Sequence, residues 1–486
     1  MNQNYIDKEN TEYVESILNS VMKYGIEFKR NAKVLPSFLP RKEDYQISDE
    51  GMENEKLVNL FARRIMPCCS NFSNVGFMGF PDSGNSIAGM AGAFLGALLQ
   101  QNLINASFCA PAATQLEIEV IMTLRKMLGY QTNDCKSILD VGGIVTYGGT
   151  GSNATAMLLA RENKIKNTME NGVTNPRKFK VIIPEGIGHY SIRSSLKWIG
   201  CGDNVVEVKT DGFRYDIKDL QKVLQVEKDN IMAVVAYAGD SRTMTIENLE
   251  KVIELVKSIN ANIWCHVDAC HGFSLAFSKC REKIKGIEKY DSISCDPHKV
   301  FSLPYCCSVL LLKKPGNFQL IMSDSDLIMN EDFAFGQITP FIGSKSWISL
   351  KLWFVMKNLG LKGIGKMIDK RIEDAQYFLD CVKRDKEFCV LNEVDFNSVV
   401  FVYKGDYRRE EIDKVNNINQ KIYERLKAEG KIYLHQFPMK DNLGRFEKGE
   451  RLLVLRYMSG NDNLKKNEIE KSLAYIKLIA REINAK

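Results

Sequence analysis

Between residues 144 and 312, short apolar segments alternate with amphipathic segments, and this alternation restricts the fold more than any other feature of the chain. The amphipathic segments, at 154–165, 217–226 and 246–259, place apolar residues at helical spacing. Such alternation predicts an α/β fold with a mostly parallel sheet covered by helices on both faces. Seven strands are predicted, at 144–146, 181–184, 205–208, 231–237, 263–268, 292–295 and 308–312.

The regions on either side of this alternation predict a three-part chain of 486 residues. Residues 1–75 form a helical segment too thin to have its own core, and residues 76–370 form the large domain. Residues 371–486 form a small α+β domain with an antiparallel sheet, whose predicted strands are 388–391, 398–403, 431–435 and 452–457. A long helical region, 344–383, is expected to break near Gly360.

Charge and composition exclude several classes of function. The 66 basic and 60 acidic residues give a net charge of only +6, with no basic block that would predict nucleic-acid binding. The start of the chain lacks an apolar signal region, and the apolar stretch 87–99 is too short to span a bilayer. The 13 cysteines are scattered without metal-ligand spacing, so we expect no metal, reduced thiols and a cytoplasmic location.

A glycine-rich turn, 148–153, follows the first predicted strand and opens a helix. Its glycines let the backbone approach a ligand, while Thr150 and Ser152 add hydroxyl groups beside the free N–H groups of the helix start. The turn therefore predicts a phosphate cradle, although it matches neither the Walker A pattern nor GxGxxG.

Three further side chains follow predicted strands. Asp268 ends one strand and needs a cationic partner if it is buried. His189 lies in a loop, where its flat ring can stack on a flat ligand. Lys299 follows a strand that Pro297 ends, because proline has no N–H group for the ladder. Burial there would favour the neutral amine, which can form a Schiff base.

Each of these features has an ordinary explanation by itself: a tight turn, a helix cap, a loop histidine or a surface lysine. In combination they are what pyridoxal phosphate requires. The turn holds its phosphate, His189 stacks on its ring, Asp268 keeps its ring nitrogen protonated and Lys299 attaches its aldehyde.

The chain resembles the group II pyridoxal-phosphate-dependent amino-acid decarboxylases of fold type I, a family with aromatic-amino-acid and glutamate decarboxylases. The resemblance runs from about residue 50 to residue 480 and includes 149–155, His189, 266–269, 296–299, 343–345, 350–353 and 454–456. It implies Lys299, Asp268 and His189 as catalytic residues. It places Thr150, Gly151, Ser152 and His298 at the phosphate, Ser241 at the cofactor and Arg456 near the substrate carboxylate.

The same resemblance implies an obligate homodimer with shared active sites, an exchanged N-terminal segment and a mobile loop before Gly343. In the family a tyrosine of this loop usually protonates the product carbon, but residues 329–338 contain no tyrosine. Phe333 or Phe335 stands near its place. Family members with phenylalanine there tend to divert the reaction to oxygen and form an aldehyde. Oxidative decarboxylation is therefore an alternative, unless another acid such as His189 supplies the proton.

The substrate pocket is predicted to include Phe80, Pro81 and Asp82, together with Leu103 and Asn105 from the partner subunit. Phe80 and Pro81 resemble the aromatic-specific members, so an aromatic amino acid is favoured, with a diamino acid next. Asp82 would repel an acidic side chain. A pyridoxal-phosphate-dependent carbon–carbon lyase, an aminotransferase and an inactive binding protein are the competing hypotheses.

Overall fold

The computed structural model describes residues 5, 6, 8–81 and 84–484. Its α-helices are α1 (Thr11–Asn31), α2 (Asn54–Leu60), α3 (Ile87–Leu99), α4 (Pro111–Met127), α5 (Ile138–Val141), α6 (Gly149–Lys164), α7 (Thr168–Asn171), α8 (Tyr190–Trp198), α9 (Ile217–Glu227), α10 (Leu249–Ile259), α11 (Pro297–Val300), α12 (Ser349–Arg384), α13 (Ile412–Glu429) and α14 (Lys466–Asn484). Its strands are β1 (Gly143–Thr146), β2 (Lys180–Pro184), β3 (Val205–Val208), β4 (Thr210–Asp211), β5 (Arg214–Tyr215), β6 (Ile231–Tyr237), β7 (Trp264–Asp268), β8 (Ser292–Cys295), β9 (Ser308–Leu312), β10 (Phe388–Val390), β11 (Ser398–Tyr403), β12 (His435–Lys440) and β13 (Arg451–Met458).

The central sheet has seven strands in the order β1-β9-β8-β7-β6-β2-β3. Strand β9 runs antiparallel to both of its neighbours, and every other pairing in the sheet is parallel. Strands β6 to β9 are buried along their whole length, because helices cover both faces of the sheet. The predicted mostly parallel, seven-stranded α/β fold is confirmed.

The topology brings the carboxyl ends of β1, β2, β6, β7 and β8 to one edge of this sheet. Each of these strands leads directly into a segment that the sequence analysis singled out: the glycine turn, the His189 loop, the Ser241 loop, Asp268 and the Lys299 segment. Ligands of open α/β sheets bind at this edge. The fold therefore gathers residues that are far apart in sequence.

The C-terminal part forms a separate antiparallel sheet in the order β10-β11-β13-β12. Three of its strands lie where they were predicted, but the strand predicted at 431–435 is instead β12, His435–Lys440. Pro438 argues against a strand in this segment, because proline has no N–H group to donate to a neighbouring strand. It is tolerated because β12 is an edge strand.

Helix α12 contains the predicted break, since Gly360 has the non-helical angles φ 63° and ψ 168°. Helix α3 packs closely against α12. A Cβ atom at Gly92 would lie only 2.6 Å from the Cα atom of Lys351, so only glycine permits this approach.

Within the described part of the chain, no helix combines the length and the apolar character needed to cross a bilayer.

Candidate active site

A cavity of about 200 Å³ opens at the carboxyl edge of the central sheet. It collects six of the predicted site residues: Thr150, His189, Ser241, Asp268, His298 and Lys299. The other residues that line it are Gly149, Asn153, Tyr190, Tyr237, Gly239, Cys270, His271 and Asp296.

The glycine turn forms one wall of this cavity. Gly148 adopts φ 97°, a conformation that favours glycine, and caps α6. A Cβ atom at Gly149 would lie 2.7 Å from both the Asp296 carboxylate and the Cys270 sulfur, so the turn approaches the lysine segment closely. The Ser152 hydroxyl lies 2.7 Å from the Thr146 hydroxyl in the protein interior. Thr150 is therefore the hydroxyl-bearing residue of this turn that lines the cavity, whereas Gly151 and Ser152 do not line it.

Asp268 is buried at the end of β7, where its carboxylate accepts hydrogen bonds from the side-chain amide of Asn153 (2.9 Å) and the N–H of Cys270 (3.3 Å). Burial alone would raise the pKa of Asp268. The nearby His189 ring, these hydrogen bonds and the Lys299 ammonium outweigh it and lower the pKa below its ordinary value. The site thus holds a charged carboxylate away from water.

A chain of buried polar groups stands behind Asp268. The Asn153 side-chain oxygen lies 3.0 Å from Nε2 of His266, and Nδ1 of His266 lies 2.8 Å from the Ser292 hydroxyl. Burial lowers the pKa of His266 to about 4, so its ring is neutral. The Trp264 indole N–H donates to the same Ser292 hydroxyl at 2.8 Å. This network fixes Asn153, and Asn153 orients Asp268.

His189 is held at the start of α8. The backbone N–H of His189 donates to the Tyr237 hydroxyl at 2.9 Å, and the ring nitrogen Nδ1 lies 2.6 Å from the Ser191 hydroxyl. The Ser191 hydroxyl also accepts from Asn153 at 2.8 Å, which ties the ring to the support of Asp268. Burial lowers the pKa of His189, which favours a neutral, flat ring at the cavity.

Lys299 lies in α11, a short helical turn, rather than in the predicted loop. Its Nζ lies 2.8 Å from Asp296. Burial would lower the pKa of Lys299, as the sequence analysis expected. The expectation of a neutral amine is nevertheless wrong, because the carboxylates of Asp296 and Asp268 raise the pKa above its ordinary value.

The predicted substrate residues that the structure describes do not line the cofactor cavity. The Phe80 ring packs 4.6 Å from the His435 ring and 5.4 Å from the Arg456 guanidinium. Arg456 is buried and donates to the carbonyl groups of Ser241 (2.5 Å) and Gly79 (2.9 Å), so it joins two loops beside the cavity. Pro81 is buried, and Asp82 lies outside the described residues.

Leu103 and Asn105 are buried within their own subunit and do not line the cofactor cavity, so their predicted contact with the substrate of the partner subunit stays a prediction. Leu103 is fully buried in the core of its own subunit. The Asn105 amide donates to the carbonyl of Ile328 at 2.9 Å, and its oxygen accepts from the Cys109 N–H at 3.2 Å. Phe335 is likewise fully buried, with its ring 5.5 Å from Nζ of Lys345, and Phe333 packs against the same core.

Several residues of the cavity and its support were given no role of their own in the sequence analysis, among them Asn153, His266, His271 and Asp296. His266 precedes Asp268 by two residues on β7, and the two-residue period of a strand indicates that both face the same side. Asn153 lies in the first turn of the helix that the glycine turn opens. Nε2 of the buried His271 has no hydrogen-bond partner among the described residues.

These side chains suit pyridoxal phosphate. The start of α6 offers backbone N–H groups to a phosphate, Asp268 offers a buried charge to a protonated ring nitrogen, and Lys299 offers a primary amine to an aldehyde. The unpartnered His271 nitrogen adds a polar atom to the same cavity.

Comparison with known proteins agrees with this geometry. Residues 36–404 match the family described as the pyridoxal-dependent decarboxylase conserved domain. The chain is 30% identical over 347 residues to L-2,4-diaminobutyrate decarboxylase of Acinetobacter baumannii; the alignment covers 66% of this chain and 65% of that protein, just under two thirds. It is 23% identical to aromatic-L-amino-acid decarboxylase of Bacillus atrophaeus, over 92% of this chain and 89% of that one.

The crystal structure of mouse CSAD in its apo form has the same fold. It superposes with a TM-score of 0.86 at 22% identity, covering 96% of this chain and 99% of that one. The family match spans most of the sequence and includes both the glycine turn and the lysine segment. The chain therefore belongs to the pyridoxal-dependent decarboxylases, a family of carboxy-lyases that use pyridoxal phosphate.

Proposed function

We propose that this protein decarboxylates an L-amino acid to the corresponding amine and carbon dioxide. The observation that carries the proposal is the meeting of three groups in one cavity: the Lys299 amine, the buried Asp268 carboxylate and the glycine turn. An inactive binding protein would have no use for a buried carboxylate that its surroundings keep charged.

When bound, pyridoxal phosphate supplies a protonated ring that accepts the electrons of the bond being broken. The roles of the protein follow from the geometry. Asp268, oriented by Asn153, holds negative charge where the ring nitrogen would keep its proton. His189 presents a flat ring whose orientation Ser191 and Tyr237 fix. Lys299 would hold the cofactor through its primary amine, and the same amine would be placed to carry a proton within the cavity.

The remaining predicted cofactor contacts have separate parts in this proposal. Thr150 and the first N–H groups of α6 would bind the phosphate, together with His298, which lines the same cavity. Ser241 lies in a loop that lines the cavity, and its backbone carbonyl accepts a hydrogen bond from the Arg456 guanidinium. Arg456 remains the predicted partner of the substrate carboxylate, a role that rests on the family resemblance.

The test is to incubate the purified protein and pyridoxal phosphate with the twenty amino acids, L-DOPA, L-ornithine and L-2,4-diaminobutyrate. Carbon dioxide and amine are expected from at least one of them. Lys299→Ala should abolish both the activity and the absorbance of the attached cofactor at about 420 nm. Turnover that requires a keto acid, or cleavage of a phosphorylated amino alcohol without carbon dioxide, would contradict the proposal.

A second candidate is oxidative decarboxylation to an aldehyde. It is supported by the absence of tyrosine from 329–338, the segment expected to supply the proton. Because Phe335 is buried in the core, Phe333 is the better candidate of the two phenylalanines for the tyrosine's place. Aldehyde and hydrogen peroxide, assayed beside the amine, decide between the two outcomes.

The choice of substrate is a finer question. The preference for an aromatic side chain, with a diamino acid next, stays a prediction that rests on Phe80, Pro81 and Asp82. The ring of Phe80 packs within an aromatic group that includes His435 and Tyr433, which supports an aromatic wall at this point.

We also propose a homodimer. Helix α1 has no buried residue, and α3 exposes Ile87, Phe94 and Leu99, so both helices have apolar surface that a partner subunit would cover. The exchanged N-terminal segment, the shared active sites and the cytoplasmic location stay predictions of the sequence.

A further inference from the structure

The polar chain behind Asp268 determines where its protons lie, because its two ends have opposite hydrogen-bonding character. At the far end the Trp264 indole can only donate, and it donates to the Ser292 hydroxyl at 2.8 Å. Ser292 is fully buried, so its own hydroxyl proton needs an acceptor within the protein, and Nδ1 of His266 lies 2.8 Å away. A neutral His266 that accepts at Nδ1 carries its proton on Nε2. We call Trp264, Ser292 and His266 the indole relay.

The opposite end of the chain selects the same form of His266 independently. The Asp268 carboxylate can only accept, so the amide nitrogen of Asn153 is the atom that faces it at 2.9 Å. The Asn153 oxygen then lies 3.0 Å from Nε2 of His266 and also accepts from the Ser294 hydroxyl at 2.7 Å. An acceptor oxygen at this distance requires a proton on Nε2.

Asn153 is a branch point, because its amide nitrogen carries a second hydrogen. That N–H donates to the Ser191 hydroxyl at 2.8 Å, and the hydroxyl proton of the fully buried Ser191 is then free for Nδ1 of His189 at 2.6 Å. The backbone N–H of Ser191 donates to the same Nδ1 at 3.3 Å. With two donors at Nδ1, a neutral His189 carries its proton on Nε2.

We propose that Asn153 is a positioning residue that sets the protons of both groups expected to hold the cofactor ring. It donates one N–H to Asp268, which favours the carboxylate form, and through Ser191 it holds His189 in the form protonated on Nε2. The indole relay keeps the amide from turning over, because a reversed amide would set its oxygen against the Asp268 carboxylate and its N–H groups against the N–H of His266. Nε2 of His189 then offers an N–H to an oxygen atom of a ligand and has no lone pair to take up a proton.

The surroundings of His189 agree with a neutral ring. Burial and the Lys299 ammonium lower the pKa of His189, and they outweigh the carboxylates of Asp268 and Asp296, which act in the opposite direction. The positions of the protons therefore belong to the cofactor-free protein, and only their consequence for the reaction rests on the proposed decarboxylation.

The test is solid-state NMR of the cofactor-free protein labelled with carbon-13 and nitrogen-15 in histidine alone, because the ring shifts differ between the two neutral forms and the cation. The chain has only five histidines. The variants His189→Gln, His271→Gln, His298→Gln and His435→Gln assign four of them, and His266 follows by elimination. At pH 7 both His189 and His266 of the unaltered protein are expected to be protonated on Nε2 and not on Nδ1. A proton on Nδ1 of either one would overturn the proposal without any change to the buried network.

Asn153→Asp tests the branch point with an almost unchanged side-chain shape. It places an oxygen where the amide nitrogen faced Ser191, so the Ser191 hydroxyl donates to that oxygen and can accept from Nδ1 of His189. The spectrum of His189 should therefore lose the pure Nε2–H form and gain a form protonated on Nδ1. Asn163→Asp, the same change in the last turn of the same helix, is the matched control and should leave both histidine spectra unchanged. A folded Asn153→Asp variant with the unaltered His189 spectrum would show that Asn153 does not set these protons.

The proposed reaction is tested separately in the same proteins. For an amino acid that is decarboxylated, Asn153→Asp should lower kcat at least about tenfold, because a wrong histidine tautomer is costly even where the geometry is kept, and Asn163→Asp should not. The expected tautomers without carbon dioxide from any amino acid would support the positioning role and contradict the decarboxylase function. Carbon dioxide release by an unaltered protein whose His189 is protonated on Nδ1 would support the function and contradict the positioning role.

Discussion

Asp296 forms an ion pair with Lys299, the proposed attachment point of the cofactor, and this contact is expected to slow the capture of the cofactor. Its carboxylate lies 2.8 Å from Nζ of Lys299 and also accepts a hydrogen bond from Ser308. Because the carboxylate favours the ammonium form, the pKa of Lys299 is raised and little neutral amine exists at neutral pH. Attack on an aldehyde requires the neutral amine.

Replacing Asp296 with asparagine removes that charge and should lower the pKa of Lys299. Each unit of decrease gives about ten times more neutral amine below the pKa, so cofactor-free Asp296→Asn should react with pyridoxal at least about tenfold faster at pH 7. Its rate-versus-pH curve should move to lower pH. The measurement is stopped-flow absorbance, followed by borohydride trapping and mass spectrometry of the Lys299 peptide.

Pyridoxal without its phosphate is the better probe, because losing a negative charge beside the glycine turn would also strengthen phosphate binding. Asp203→Asn, which removes an exposed carboxylate paired with Arg193, is the matched control. An unchanged rate-versus-pH curve in Asp296→Asn would show that Asp296 does not govern the protonation of Lys299.

At the scale of elements, the segment after Gly343 is fastened to the central sheet by a fully buried ion pair. Nζ of Lys345 lies 2.7 Å from Glu117 on α4, and both side chains are 0% exposed. Lys345 also donates to the Val145 carbonyl on β1 at 3.2 Å, and the Ser349 hydroxyl donates to Glu117 at 2.8 Å. The pair thus joins α4, β1 and the start of α12.

Lys345→Met should lower the free energy of unfolding by about 3–5 kcal/mol, because Glu117 would remain as an uncompensated buried charge. The double variant Lys345→Met/Glu117→Leu should recover much of this loss. Lys362→Met, at an exposed position of α12, should change little. Urea unfolding at one fixed protein concentration measures all three, and equal destabilisation of the single and double variants would contradict the explanation.

The success of sequence-based prediction differed between elements for physical reasons. The inner strands of the central sheet are buried along their whole length, and most strands of this sheet appear in the sequence as short, largely apolar runs. Lys299, Asp268 and His189 could be found because each follows such a run. The edge strand β12 was misplaced because it contains Pro438 and is only partly buried.

Contacts between distant parts of the chain could not be predicted in the same way. Asn105 is committed to the Ile328 carbonyl, 223 positions away, and Lys29 meets Ser73 across 44 positions. Neither contact has a periodic signal in the sequence. The substrate role of Leu103 and Asn105 came from the resemblance to a family, and their burial in their own subunit has no periodic signal in the sequence either.

At the scale of the whole molecule, helix α3 exposes an apolar surface to solvent in the single chain. Glycines bury one side of this helix against α12, while Ile87, Met90, Phe94 and Leu98 form an exposed stripe at helical spacing on the other. Their exposed fractions are 84%, 36%, 48% and 46%. A contiguous apolar stripe of this kind marks a surface that another protein covers.

We expect this stripe to be part of the interface between two copies of the chain. Phe94→Glu would place a charge in the middle of the stripe, where desolvation without a partner is costly, so the variant should sediment as a monomer at micromolar concentration while the unaltered protein sediments as a dimer. Val226→Glu, on the exposed face of α9 and 73% exposed, introduces the same charge away from the stripe and should leave the dimer intact. Sedimentation velocity at several concentrations measures this. A monomeric unaltered protein, or a Phe94→Glu variant with an unchanged dissociation constant, would show that the stripe is covered by something other than a second copy.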